Sequence, residues 1–281
     1  MRAASSSVCE ETLRGLETGL HVRHIALFGL VTCKADDLVG EVRRSMSPQV
    51  IDHVPVKRGR KIVGVLHLKT TSDDGDAGSQ MKAFREVRLV AAETPLITYL
   101  REAGNTPYAL VHTGQGACGI VTRSDLQKLP VRLLAFAVIT HLEMQMADVM
   151  RLVYPSPSKK WLSTLTKKRE SDLVERWEKL GANSEDVDLI EASEFCDKRK
   201  VVGRLALWGR EQVTGFKREL VGIEKLRNGL AHANNFGFDA CIARVLAAEK
   251  WISLFDILKS ECGTRDELLA RAESSQRERN P

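Results

Sequence analysis

The 281-residue sequence has no Cys-x-x-Cys pair, no hydrophobic leader and no dominant charge of either sign. Its six cysteines, Cys9, Cys33, Cys118, Cys196, Cys241 and Cys262, are scattered, with no histidine at ligand spacing. That pattern argues against a zinc site and against a disulfide framework, so reduced, mostly buried thiols are expected and no metal. The opening run "MRAASSSVCEETLRGLETGLHVRHI" lacks the apolar h-region of a secretory signal. No stretch approaches the roughly 20 apolar residues that cross a bilayer. A cytoplasmic protein without a membrane partner is the expectation. The 42 Lys+Arg against 37 Asp+Glu give a net +5, a mild bias that permits a polyanionic partner without requiring one. What is present is apolar content: 43% hydrophobic residues, enough for real cores, on a chain long enough for two domains.

After a polar arm over residues 1–24, the stretch 25–129 alternates short apolar runs with amphipathic ones. "VIDHVPVKRGRKIVGVLHLK" holds two β-rich runs around the turn-forming "KRGRK", and "TPYALVHTGQGACGIVTRSDL" repeats that plan around "TGQGA". Each pair follows a helical stretch, "DDLVGEVRRSM" or "PLITYLREAG", with apolar residues three and four apart. An internal duplication is the expectation, with "SDDGDAGSQ" as a polar, Gly-rich loop between the copies.

This duplicated plan resembles a tandem pair of CBS domains, and "GIVTRSDL" carries the match: Gly119, Ile120, Val121, Thr122 and Asp125 fit the family's nucleotide signature. The resemblance implies an adenosine nucleotide (AMP, ADP or ATP) as a regulatory ligand. Its phosphate would meet the strand end and the Thr122 hydroxyl, and its ribose hydroxyls would donate to Asp125. The same two residues could instead merely cap the helix that follows. In the first copy, His67 stands in place of Thr and Thr70 in place of Asp, so at most one standard site is expected.

From Pro130 onward the hydrophobic period changes from two to 3.6. Residues 130–281 read as an antiparallel bundle of five or six helices ending in a frayed "ESSQRERNP". The fold class is therefore α+β: an α/β module followed by an all-α bundle. One helix holds Phe216, Leu220, Ile223 and Leu230 in a narrow stripe, at about 100° per residue. His232 falls ~180° from Ile223, with Asn228 on the same outer face, while Arg227 lies ~140° from His232 on an ideal helix. Gly229 between them leaves room for a local departure. On the long helix after Pro130, Glu143 interrupts a stripe of Phe136, Ile139, Met146 and Met150. A carboxylate there needs a partner, or must reach water from the stripe's edge. The four tryptophans read as core, and "KRGRK", "KKW" and "KKRE" as solvated faces.

"RNGLAHA" matches the Arg-Asn-x-x-x-His form of the motif of the HEPN superfamily, and the helical half resembles that superfamily as a whole. The resemblance implies a metal-independent endoribonuclease working on RNA as a homodimer, with Glu143 as the acidic partner of Arg227 or His232. Residue chemistry agrees. Histidine titrates nearest neutral pH and suits proton transfer to or from the 2′-OH and the departing oxygen, which is the role of His232. A guanidinium suits the charge building on phosphate, the role of Arg227, with Asn228 orienting the histidine or the phosphate. Together the two resemblances describe a nucleotide-regulated ribonuclease open to control by an inhibitory protein partner. The competing readings are a non-catalytic scaffold that binds RNA or protein, a pure nucleotide sensor, and a substrate for nucleotidyl transfer by another enzyme.

Overall fold

The computed structural model describes residues 3–47, 51–103, 106–114, 116–182, 187–232 and 237–277. It forms two compact units: 14–134, and 135–281 together with the start of the chain up to Leu13. The stretch read as a polar arm is mostly helix, α1 (Ala3–Gly19).

The unit 14–134 holds β1 (Leu27–Phe28), β2 (Cys33–Lys34), α2 (Val39–Met46), β3 (His53–Arg58), β4 (Lys61–His67) and α3 (Ala77–Gln80). It continues with β5 (Lys82–Ala83), β6 (Leu89–Ala91), α4 (Leu96–Ala103), β7 (Tyr108–Thr113) and β8 (Gly116–Thr122). The strands form two mixed four-stranded sheets, ordered β2-β3-β4-β5 and β1-β8-β7-β6. The duplication is visible at the level of register. Both hairpins shift register at the same place, between Val56 and Lys57 and between Val111 and His112. Gly64 faces Val56, and Gly119 faces Val111. The strand nearest the start of the chain, β1, joins the sheet of the second copy. Strands of two or three residues carry too little pattern to be read from sequence, which is why β1, β2, β5 and β6 are absent from the expectations.

The helices form for ordinary reasons. α2 buries Val39, Val42 and Met46, three and four residues apart, against Val54, Val56 and Leu66 of its own sheet. The "SDDGDAGSQ" segment is not a loose loop. Asp76 caps α3 by accepting from Ser79 N at 2.7 Å, Gln80 binds Ser72 and Asp74 backbone atoms, and Arg43 donates to Leu68 O and Thr71 O while pairing with Asp73. The sequence shows the polarity of this segment but not the distant arginine that ties it down.

After Thr122 a 3₁₀ segment (Arg123–Gln127) leads into α5 (Leu129–Val153). The second unit adds a 3₁₀ turn (Lys160–Thr164), α6 (Lys167–Ala182), α7 (Phe195–Leu205), α8 (Arg210–Ala231), α9 (Phe238–Glu261) and α10 (Arg265–Arg277), and is all helix among its described residues. Its aromatic centre joins Trp208, Phe216, Trp251 and Phe255, with edge-on contacts of 4.9 to 6.2 Å between ring centroids among them. Trp161 is fully buried as well, whereas Trp177 is half-buried and donates to Val187 O at 2.8 Å.

Three expectations need correction here. Of the terminal segment 273–281 expected to fray, 273–277 continue α10, and 278–281 lie outside the described residues. Phe136 is 39% exposed and lies off the buried stripe of Ile139, Met146 and Met150. Finally, α5 is long and apolar enough to cross a bilayer by length and composition, and 61% of its most apolar window is buried. Its polar residues are spaced so that no uninterrupted apolar run announces it.

Candidate functional site

In the unit 14–134, a cavity of about 380 Å³ opens beside the end of β8. Leu27, Leu30, Val31 and Ile120 give it an apolar wall, and Thr122, Arg123, Ser124 and Asp125 give it a polar one. Asp52, His53 and Pro55 of the first copy also line it. Of the five signature residues, Ile120, Thr122 and Asp125 face this space. Val121 is fully buried, and Gly119 has a different task. A Cβ at Gly119 would lie 3.1 Å from Leu27 O and from the Phe28 ring, so its glycine admits β1 and not a phosphate. Gly64 does the same for β5, where a Cβ would fall 2.4 Å from Lys82 O. Arg123 and Ser124 were within the quoted motif but were not singled out by it.

Asp125 is 9% exposed and fully engaged. Its Oδ2 accepts from Thr122 N at 2.7 Å and from Thr122 Oγ1 at 2.8 Å, and its Oδ1 pairs with Lys128 Nζ at 2.8 Å. The Lys128 ammonium also donates to Ile25 O. Capping and cavity lining thus coincide in the same carboxylate. The Thr122 hydroxyl, expected to point at a ligand phosphate, is turned toward Asp125 and Ser124. A ligand at this corner would compete with those bonds.

At the matching corner of the first copy, Thr70 Oγ1 lies 2.9 Å from His67 Nδ1. His67 stacks on His53 across β3 and β4 at 4.5 Å with planes 5° apart, and the His53 ring meets Tyr108 at 4.4 Å. His53 and Tyr108 hold matching positions in the two copies, opposite His67 and Thr122. Burial, and next the neighbouring His67, push the His53 pKa down from 6.5 to about 4. Its Nε2 is buried without a hydrogen-bond partner among the described residues.

The second constellation lies in the helical unit. α8 buries Val213, Phe216, Leu220, Ile223, Leu226 and Leu230, the expected stripe with Leu226 added within it and Val213 before it. Asn228 and His232 are exposed. His232 is the C-cap, its N–H donating to Asn228 O at 3.1 Å, and its ring bonds to no other described residue. The helix runs unbroken through Gly229, so no local distortion turns Arg227 toward His232. Asn234 and Asn235 lie outside the described residues.

Arg227 points the other way, inward. Its Nη2 lies 3.5 Å from Glu143 Oε2 on α5. Glu143 does not escape to solvent from the edge of its stripe: its side chain is 14% exposed, and its Oε1 pairs with Lys198 Nζ of α7 at 3.1 Å. Lys198 also donates to Ser193 O, and its side chain is 5% exposed. Arg227 Nε is buried and lacks a partner among the described residues. The structure therefore joins Glu143 with Arg227 and leaves Asn228 and His232 at the surface beyond them. Lys198 escaped the sequence reading because a lysine within "CDKRKV" looks like one of three solvent-facing cations. On the same helix, Asp197 is fully buried under Arg169 at 2.7 Å. Against the cost of burial, that guanidinium holds the carboxyl below its ordinary range.

No family model and no curated protein matches this chain. Among solved structures it is similar to the CBS domain of the bacterial CNNM/CorC family Mg²⁺ transporter in complex with ATP, at 21% identity, over 42% of this chain and 91% of that one, with a TM-score of 0.34. It is similar to CBSX2 in complex with AMP at 17% identity, over 41% and 98% of the two chains, with a TM-score of 0.35. A hemolysin-like protein containing a CBS domain, from Oenococcus oeni PSU, is 15% identical over 41% and 93%, with a TM-score of 0.34.

Proposed function

We propose that the protein is a cytoplasmic, metal-independent endoribonuclease of the HEPN type whose activity responds to an adenosine nucleotide held in the 14–134 unit. The observation that carries the ribonuclease reading is the pairing of Arg227 with Glu143 on a helix whose next outer residues, Asn228 and His232, are exposed. An arginine anchored from behind by one carboxylate keeps its remaining donors for a phosphate. A surface histidine is free to exchange protons with a substrate. In the proposed reaction the 2′-oxygen attacks the adjacent phosphorus, breaking the bond to the 5′-oxygen. His232 takes the proton from the 2′-OH and returns it to the departing 5′-oxygen, Arg227 stabilises the charge on the phosphoryl oxygens, and Asn228 orients one of them. The products are a 2′,3′-cyclic phosphate and a 5′-hydroxyl.

At the end of α8 the exposed His232 ring bonds to no other described residue. A two-fold mate presenting the same face supplies an opposite wall, and the reading therefore includes an isologous homodimer, measurable by light scattering at micromolar concentration. The nucleotide reading rests on the cavity, whose apolar side suits a base and whose polar side offers Arg123 to phosphate and Asp125 to ribose.

The deciding experiment incubates RNA with the purified protein in EDTA and maps the ends. Cyclic-phosphate ends, and no cutting where the sugar is 2′-O-methylated, are expected. A requirement for Mg²⁺, or 5′-phosphate ends, would sink the reading. Intact RNA together with nucleotide binding would favour the sensor or scaffold alternative.

A further inference from the structure

Resting on the ribonuclease reading, we propose that Lys198 is a positioning residue for the phosphate site: by occupying one oxygen of Glu143, it keeps Arg227 only half-neutralised. Lys198 Nζ and Arg227 Nη2 share this single carboxylate, one on each oxygen, at 3.1 and 3.5 Å. Two cations against one anion leave one positive charge uncompensated. It sits at a place where water screens poorly, since Glu143 and Lys198 are almost wholly enclosed. The excess cannot discharge through Lys198, which is surrounded by protein and bonded to Ser193 O as well. It therefore falls on Arg227, whose side chain is 33% exposed and whose buried Nε has no acceptor among the described residues. An anion is the group that Arg227 is short of.

The alternative role for Lys198 is structural, tying α7 to α5 with no bearing on Arg227. The two roles predict opposite behaviour for a pair of substitutions. If Lys198 sets the charge at Arg227, Lys198→Met frees Glu143 to bind Arg227 with its full charge. Arg227 then holds phosphate about tenfold less well. Adding Glu143→Gln removes the competing anion and restores most of the lost affinity. A structural tie gives the reverse, with the double variant worse than either single one.

The test uses the whole protein labelled with ¹⁵N-arginine and follows the Arg227 Nε–H signal during titration with inorganic phosphate at constant ionic strength. RNA cleavage by the same variants is measured beside it, with Lys198→Arg as the conservative replacement. The expected results are a saturable shift in wild type and Lys198→Arg, a midpoint about tenfold higher in Lys198→Met, and recovery in Lys198→Met/Glu143→Gln. The cleavage rate constant should follow that order with KM less affected. An unchanged midpoint in Lys198→Met overturns the proposal, and so does a double variant no better than the single one or a wild-type signal that ignores phosphate. The ribonuclease reading fails separately: a wild type that cuts no RNA refutes it, while the phosphate titration still decides the role of Lys198.

Discussion

The corner at Asp125 and the end of α8 are both polar, and they are prepared in opposite ways. Asp125 is enclosed, its two oxygens already accepting three hydrogen-bond or ionic contacts, and it lines a concave space. At α8 the reverse holds: Glu143 and Lys198 are hidden, Arg227 is partly exposed with a donor unmet among the described residues, and His232 is exposed. A ligand at the first site exchanges one set of bonds for another, so modest affinity and reversible occupation are expected. At the second site a ligand supplies what the protein lacks, which is the arrangement that stabilises developing charge. In the proposed reading the first serves as the sensor and the second as the reaction site.

The largest effects belong to the second site. His232→Ala and Arg227→Ala should each slow RNA cleavage by about 10²–10⁴-fold with circular dichroism unchanged; melting should hold for His232→Ala, whose ring is exposed, and fall for Arg227→Ala, which takes a partner from the enclosed Glu143. An equal loss from an exposed neighbour such as Lys225→Ala would erase the contrast drawn here. A comparison within the duplicated unit comes next. Gly64→Ala should destabilise by about 1–3 kcal/mol, since its Cβ would meet a backbone oxygen at 2.4 Å, and Gly119→Ala by less, its contacts being at 3.1 Å. Denaturant melts of the two variants rank them, and a reversed order would refute the packing argument.

For the first site, Asp125→Asn is a cleaner probe than Asp125→Ala, because the amide oxygen can still cap Thr122 N while the charge is lost. Nucleotide affinity by calorimetry should weaken by about 1–3 kcal/mol. Unchanged affinity would remove Asp125 from the site. The smallest effect is the pH response of His53. Its folded pKa of about 4 lies below its ordinary 6.5, so between those values the unfolded chain binds more protons than the folded one. Stability should therefore fall as pH drops from about 6.5 to about 4, and His53→Leu should flatten that slope in thermal melts at pH 7 and pH 5. A slope that survives the substitution assigns the effect to other groups.

Much of this was legible in the residues. Both hairpins, α2, α4, the change of period at Pro130 and the core stripe of α8 follow from apolar spacing, since periodicity reports which face each segment buries. That Glu143 needs a partner or water could be expected once a carboxylate interrupted an apolar stripe; Arg227 or His232 as that partner was implied only by the resemblance, and the structure pairs Glu143 with Arg227 and Lys198. Lys198 could not be seen. Its burial depends on where α7 packs, and nothing in "CDKRKV" distinguishes it from Lys200, which is exposed.

The sequence by itself determined the local vocabulary: which segments are strands or helices, that one unit is duplicated, and which residue types could move a proton or hold a phosphate. Those properties depend on neighbours within a few positions along the chain. Only the tertiary structure decided that β1 joins the second copy's sheet, that Gly119 yields space to a strand, and that Lys198 shares Glu143 with Arg227. Each of those depends on atoms far apart in sequence, brought together by the burial of apolar surface, whose spacing in the chain carries no mark of the partner it will meet.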